Sequence, residues 1–493
     1  MAVTWTTDQR AVIEHREGSL LVSAAAGSGK TAVLIQHIID RLTDEKKPLD
    51  ISRLLIVTFT RAAAGEMQKR LRTALQASLE AAPDNQYLQR QLALLHQANI
   101  STIDSFCNLL VRNYFFKLGI EPDLRIADES ELKILRKDVL EDLMEQCYAE
   151  ASEEFFAFMD AFAGNKQDKE VRDLIEEVFL FAQSAPFPEE WFEACADRLR
   201  GMEGEPDACA WTKDLQELLS ERIGELIREI DACLALCAED GALHLYAEVF
   251  ASDRHAMELV LREESFSGMA RTIRETSFAK KPGKNRIKAE PEIVERLSAA
   301  RDDIKDEFKN LKENYTYDEE TEPERLRLAS RAGLYLLELT RRFSDAYAAA
   351  RAEKNMADFS DIAHMALSLV VSRTKDGYER TSLAQELAGR FDEIIVDEYQ
   401  DSNLVQELLL TAISGESSGK DNMFMVGDVK QSIYKFRMAR PEIFLDKYHR
   451  YTCEASLRQK IDLSRNFRSR AGVLDVINRV FRRLMDAPIG GVV

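Results

Sequence analysis

Short β-like runs recur toward both ends of the chain: Leu20–Ser23, Leu54–Phe59, Asn99–Thr102, Glu393–Asp397, Met423–Gly427 and Lys460–Leu463. Helical spacing fills the stretches between them, so the pattern predicts an α/β fold with a parallel sheet wrapped by helices. Between about Cys107 and Asp358 the strand signals give way to helical repeats such as Leu215, Leu218, Leu219, Ile223, Leu226, Ile227, Ile230 and Leu234. A large, mostly helical domain is therefore expected over 107–357, inserted into a sheet domain formed by 1–106 and 358–455.

Composition narrows this picture. A chain of 493 residues with 45% hydrophobic content is long enough for more than one core. No run approaches the roughly 18 apolar residues of a membrane span, and the start Met1-Ala2-Val3-Thr4-Trp5 lacks a basic-then-apolar leader, so the expected location is the cytoplasm, away from membranes. The seven cysteines are scattered; Cys233 and Cys237 have helical spacing but no further ligands nearby, and reduced, buried thiols are expected. The net charge of −20 argues against a protein that coats duplex DNA, while leaving room for a local basic and aromatic track along one strand. The acidic stretch 318–322 and the basic stretch 280–288 both read as solvated loops, the second with nucleic-acid contact as the rarer alternative.

Two local patterns carry chemistry. Ala24-Ala25-Ala26-Gly27-Ser28-Gly29-Lys30-Thr31 sits between a predicted strand and the helical stretch from Val33 to Ile39. That is the setting of a phosphate-binding loop: small residues let backbone N–H groups face phosphates at a helix N-terminus, Lys30 supplies charge to the β/γ oxygens, and the Thr31 hydroxyl is a Mg²⁺ ligand. Ala24 stands where the usual pattern has glycine. Far along the chain, Glu393-Ile394-Ile395-Val396 runs into Asp397 and Glu398. At the carboxyl edge of a doubly wound sheet, Asp397 is placed to hold Mg²⁺ through water and Glu398 to orient and deprotonate an attacking water. Together the two patterns predict an ATPase using ATP and Mg²⁺.

Seven motifs then occur in one order: Thr7-Asp8-Gln9, the phosphate loop, Thr58–Met67, Ser101–Cys107, Val396–Ser402, Val426–Arg437 and Leu463–Ser469. With Asp358-Phe359-Ser360-Asp361-Ile362 closing the helical segment, the chain resembles superfamily 1 DNA helicases of the UvrD/Rep/RecB group. Within that group it is most similar to the N-terminal part of the A subunits of bacterial AddAB (RexAB) helicase–nucleases. The resemblance implies that the sheet domain is a first RecA-like motor domain and that 456–493 opens a second. It implies that Gln9 reads the adenine edge, Phe467 stacks on the base, Arg468 touches the γ-phosphate and Gln431 senses it. Gln400 would help couple the two sites. On the DNA side it implies contacts from Phe59, Thr60, Ser105, Tyr434, Phe436 and Arg437, since stacking on bases gives grip independent of sequence.

Taken one at a time, Phe59 and Phe436 read equally well as core aromatics, Gln9 as a helix-surface amide and Arg468 as half of a surface ion pair; the ordered set favours the functional reading. Ala32 and Ala62 replace an arginine and a lysine common in relatives, so those two contacts are not expected here. The family's later motifs and its nuclease carboxylates do not occur in the sequence, so the resemblance implies the N-terminal portion of a longer protein. Single-stranded and duplex-end DNA, an AddB/RexB-type partner, repair of double-strand breaks and 3′ to 5′ movement are implied on the same ground. Two alternatives stand beside this reading: a stand-alone UvrD-type repair helicase, and a fragment that binds ATP and single-stranded DNA with little turnover.

Overall fold

The computed structural model describes residues 4–485 other than 45, 164–167, 203–205, 284–286, 318–319 and 375–376. The chain divides into two compact units, one of Met1–Glu145, Glu176–Pro188 and Arg342–Val493 and the other of Gln146–Ile175 and Glu189–Arg341. Parts of the segment 107–357 thus pack with the sheet-bearing unit rather than with the helical one.

The first unit is built on a six-stranded parallel sheet. Its strands are β1 (Ser19–Ala24), β2 (Leu54–Thr58), β3 (Asn99–Thr102), β4 (Glu393–Val396), β5 (Met423–Gly427) and β6 (Arg458–Leu463), in the spatial order β6-β1-β5-β4-β2-β3. Side chains alternate between the faces of a strand, and here both faces are apolar. Leu21, Leu55, Val57, Ile394, Val396 and Met425 enter one core, whereas Leu20, Val22, Ile56, Ile395, Phe424 and Val426 enter the other. Continuous apolar runs follow from this double coverage. Arg458–Leu463, expected to open a second motor domain, instead pairs in parallel with the whole of β1, from Ser19 opposite Arg458 to Ala24 opposite Leu463, and forms the sheet's edge. The α/β architecture expected from the sequence is therefore observed as one sheet holding all six runs.

Two smaller pairings escaped the sequence pattern. Arg125–Ile126 pairs with Met356–Ala357, and Val371–Thr374 runs antiparallel to Gly377–Arg380. The first is too short to show a period and the second is mostly exposed, so neither leaves an apolar signature.

The second unit is helical. In its long helix Ala210–Glu239, Leu219, Ile223, Leu226 and Ile230 are buried, Leu215, Ile227 and Leu234 pack at the margin, and Leu218 is exposed. The buried stripe is thus narrower than the run of apolar positions. Arg301 is fully buried beside Asp253, with Nε donating to Oδ2 at 2.7 Å, a pairing that lets both charges leave water. In the basic stretch, Lys281 pairs with Asp302 and donates to Ser298 Oγ at 2.9 Å; residues 284–286 lie outside the described residues.

Candidate nucleotide and nucleic-acid site

β1 ends at Ala24 and helix α1 (Lys30–Leu42) begins soon after it, so the loop between them must reverse direction tightly. Ser28 N–H closes a turn on Ala25 O at 3.1 Å, and Gly27 and Gly29 take left-handed φ values of +76° and +85°, where a side chain would be strained. Ala24 meets no such demand. It is the buried last residue of the strand, and its φ is not positive, which is why alanine suffices where glycine is usual.

The acidic pair leaves β4 at the same carboxyl edge. Asp397 N–H prolongs the ladder to Val57 O at 2.9 Å, and the chain then turns at Glu398, whose φ of +54° is left-handed. For a residue with a Cβ that conformation costs on the order of 1 kcal/mol. The turn brings Glu398 Oε2 to 3.3 Å from Lys30 Nζ, joining residues 368 positions apart. Gln400 bridges onward: its Nε2 donates to Glu398 Oε2 at 2.8 Å and its Oε1 accepts from Asp428 N–H at 2.9 Å. Gly427 leaves the necessary room, because a Cβ there would lie 2.4 Å from Gln400 Oε1. Burial, aided by the Glu398 charge, pushes the carboxyls of Asp397 and Asp401 up to about 6. Three carboxyls crowd this edge, and Lys30 touches one of them, Glu398, while its charge acts on Asp397 and Asp401 from further away.

Gln9 lies buried against the loop rather than on a helix surface. In a capping box it accepts from Thr6 N–H through Oε1 at 3.0 Å, while its Nε2 donates to Ser28 O at 3.0 Å. From the other side, Asn466 Nδ2 donates to Ala26 O at 2.7 Å and Phe467 N–H to Gly27 O at 2.9 Å. The side chains of Phe467 and Arg468 beside them are exposed.

A cleft of about 380 Å³ opens at this edge, lined by Thr31, Asp397 and Glu398 together with Phe59, Thr60 and Tyr434. Gln431 also lines it, with Nε2 donating to Asp428 Oδ2 at 2.6 Å. Phe59 and Tyr434 pack ring to ring at 4.3 Å, Tyr434 and Phe436 at 5.6 Å, and Phe436 is 74% exposed, which removes its reading as a core residue. Thr60 caps the helix that follows it, accepting from Ala63 N–H at 3.1 Å. Ser105 lies in the first turn of the helix Ile103–Leu118, where its N–H and hydroxyl both meet Thr102 Oγ1. The Arg437 side chain lies outside the described residues.

A profile of the UvrD/REP helicase N-terminal domain matches residues 5–452 of the chain. The chain belongs to this family. Among its relatives, the A subunit of the ATP-dependent helicase/nuclease of Lachnoclostridium phytofermentans is 41% identical over 99% of this chain and 36% of its own length. The proteins of the same name from Acetivibrio thermocellus and Oceanobacillus iheyensis are 38% and 36% identical, each over 99% of this chain and 40% of the relative. The chain thus spans about two fifths of the length of the curated relatives it matches.

In this UvrD/REP-family chain a larger cavity lies elsewhere. A space of about 930 Å³ is lined by Gly18, Arg53, Asp392, Asn422 and Leu457, residues that immediately precede β1, β2, β4, β5 and β6, so it lies at the amino edge. Ligands of open parallel sheets bind at the carboxyl edge, and there the motif residues converge despite the smaller volume. Sequence reasoning overlooked Asp428 and Asn466. Both stand inside the ordered motifs, but a lone polar residue gives no sign of which backbone group it will meet.

Proposed function

We propose that this chain is the ATP-hydrolysing motor portion of the A subunit of a bacterial DNA helicase–nuclease, which acts on double-strand ends in the cytoplasm with an AddB/RexB-type partner. The observation that carries the proposal is the cleft in which Thr31, Asp397 and Glu398 face Phe59, Thr60 and Tyr434. Nucleotide chemistry and strand grip then share one wall, and Gln400 links Glu398 to the backbone of Asp428, close to Gln431.

In this reading the phosphate loop, Ala24 to Thr31, holds the triphosphate of ATP, with Lys30 on the β/γ oxygens. Gln9 keeps one amide hydrogen and one lone pair for the adenine edge. Phe467 covers the base and Arg468 reaches the γ-phosphate. Thr31 and Asp397 fit a magnesium ion, because they line the same cleft, where Asp397, Glu398 and Asp401 crowd together and Lys30 pairs with Glu398 alone among the three. When bound, that ion would polarise the phosphate oxygens. Glu398 orients the water and takes its proton, and Gln431 registers the γ-phosphate. Phe59, Tyr434 and Phe436 stack on bases, while Thr60, Ser105 and Arg437 hold the strand's backbone. Movement is assigned 3′ to 5′ from the family alone. The names of the relatives favour a helicase–nuclease over a stand-alone repair helicase.

Phosphate release by this chain, measured with and without a single-stranded oligonucleotide, tests the proposal. DNA-stimulated release that disappears in Lys30→Ala supports it. Tight ATP binding with no release under either condition supports the binding-only alternative, and binding unaffected by Lys30→Ala sinks the assignment of the loop.

A further inference from the structure

Three consecutive carbonyls of the phosphate loop are held from outside it. Ala26 O accepts from Asn466 Nδ2, Gly27 O from Phe467 N–H and Ser28 O from Gln9 Nε2, at 2.7, 2.9 and 3.0 Å. A trans peptide is planar, with C=O and N–H pointing in opposite directions. Each held carbonyl therefore turns the next amide, on Gly27, Ser28 and Gly29 in turn, away from the group that holds it. Ser28 N–H closes the turn on Ala25 O. The amides of Gly27 and Gly29 are left oriented for an anion, as a phosphate-binding concavity requires.

Asn466 contributes more than one bond. Its Oδ1 accepts from Arg468 N–H at 2.9 Å and Ser469 N–H at 2.8 Å, which folds the segment into a turn and sets where Arg468 begins. Gly27 fits this contact closely: a Cβ there would lie 2.8 Å from Asn466 Nδ2 and 2.9 Å from Arg468 Cβ. Beneath it the ladder of β6 on β1 continues into Ala25 N–H to Leu463 O at 3.1 Å, so both partners of the Asn466 contact rise from a rigid base.

We propose that Asn466 is a positioning residue whose amide latches the segment bearing Phe467 and Arg468 onto the phosphate loop. The loop's amides and the Arg468 guanidinium are then presented to a nucleoside triphosphate as one preassembled unit. The inference rests on the nucleotide-binding reading of this edge. It assigns the site's affinity in part to a residue that touches no phosphate.

Asn466→Ser separates the two roles, because a serine hydroxyl still caps the turn but is too short to reach Ala26 O. Binding of a fluorescent ATP analogue to this chain should weaken about five- to ten-fold, the worth of one hydrogen bond, with the melting temperature essentially unchanged. Arg468→Ala should also weaken binding. The double variant should lose less than the product of the two losses, because an unlatched Arg468 has already forfeited much of its contribution. Wild-type affinity in Asn466→Ser, or losses that simply multiply, would overturn the proposal. So would a large fall in melting temperature, which would make Asn466 a residue of the fold. Lys30→Ala measured alongside distinguishes the levels: lost binding there with normal binding in Asn466→Ser sinks the latch alone, whereas normal binding in Lys30→Ala sinks the nucleotide site itself.

Discussion

Glu393 opens β4 and Asp397 directly follows its last residue, so one short strand presents carboxyl groups to both edges of the sheet. At the amino edge, Glu393 is buried among partners. Its Oε1 lies 2.9 Å from His37 Nε2 and its Oε2 3.4 Å from Arg41 Nε. Burial alone would raise its pKa, but His37 and Arg41 outweigh burial and hold the carboxyl below the usual range. His37 is itself fixed, with Nδ1 3.1 Å from Ile13 O and its ring 4.4 Å from that of Phe424. At the carboxyl edge, burial and, after it, the negative charge of Glu398 push Asp397 up to about 6, against the smaller pull of Lys30 and the Glu398 N–H. The same strand thus carries charge matched for the fold at one end and charge left in surplus for chemistry at the other. Surplus charge beside a phosphate loop is what a magnesium–triphosphate site needs.

The largest effect should come from breaking the matched end. Glu393→Ala leaves His37 and Arg41 buried without their acid and should cost about 3–5 kcal/mol of stability, read by denaturant unfolding. Nucleotide affinity at temperatures where the variant stays folded should not change; if it does, the two edges are not independent. This loss should shrink as pH falls below about 4.5, because the stabilisation from a carboxyl with a lowered folded pKa is present above its unfolded value and is lost on protonation.

Glu398→Gln acts on the other end. The amide keeps size and hydrogen bonding but takes no proton, so turnover should fall by about two powers of ten or more while the ATP analogue still binds. Turnover that survives would pass the role of base to a neighbour such as Asp401, whose pKa is likewise raised to about 6.

Phe436→Ala should weaken binding to a short single-stranded oligonucleotide by roughly 1–3 kcal/mol, the worth of one stacked base, with no dependence on sequence. Fluorescence anisotropy reads the change, and unaltered binding would remove Phe436 from the strand track.

The smallest effect is the most pointed. Because the folded pKa of Asp397 lies above its ordinary 3.8, the charged form destabilises the native state above about pH 6, and this cost vanishes below about pH 4. Asp397→Asn should therefore raise stability at about pH 7.5 by on the order of 1 kcal/mol, a gain that fades as the pH is lowered to about 4. Loss of stability near neutral pH would mean that Asp397 is as well matched as Glu393, and the contrast between the two ends would fall.

Local pattern alone determined the α/β class, the phosphate loop between β1 and α1, and the acidic pair at the end of β4, because each is written in neighbouring residues: apolar runs, small residues before Lys30, carboxylates after Val396. Motif order added the family. Tertiary structure alone decided where each run and each polar side chain would find its partner. A short run such as Arg458–Leu463 can join any sheet, and only pairing along β1 placed it in this one. Phe424 and Phe436 are the same residue type close together in sequence, yet one is core and the other is exposed. Gln9 and Asn466 reach carbonyls of the same loop from opposite ends of the chain, and His37 meets Glu393 across 356 positions. Such contacts have no local signal, because a hydrogen bond depends on ångström-scale placement that exists only after the sheet has ordered its strands.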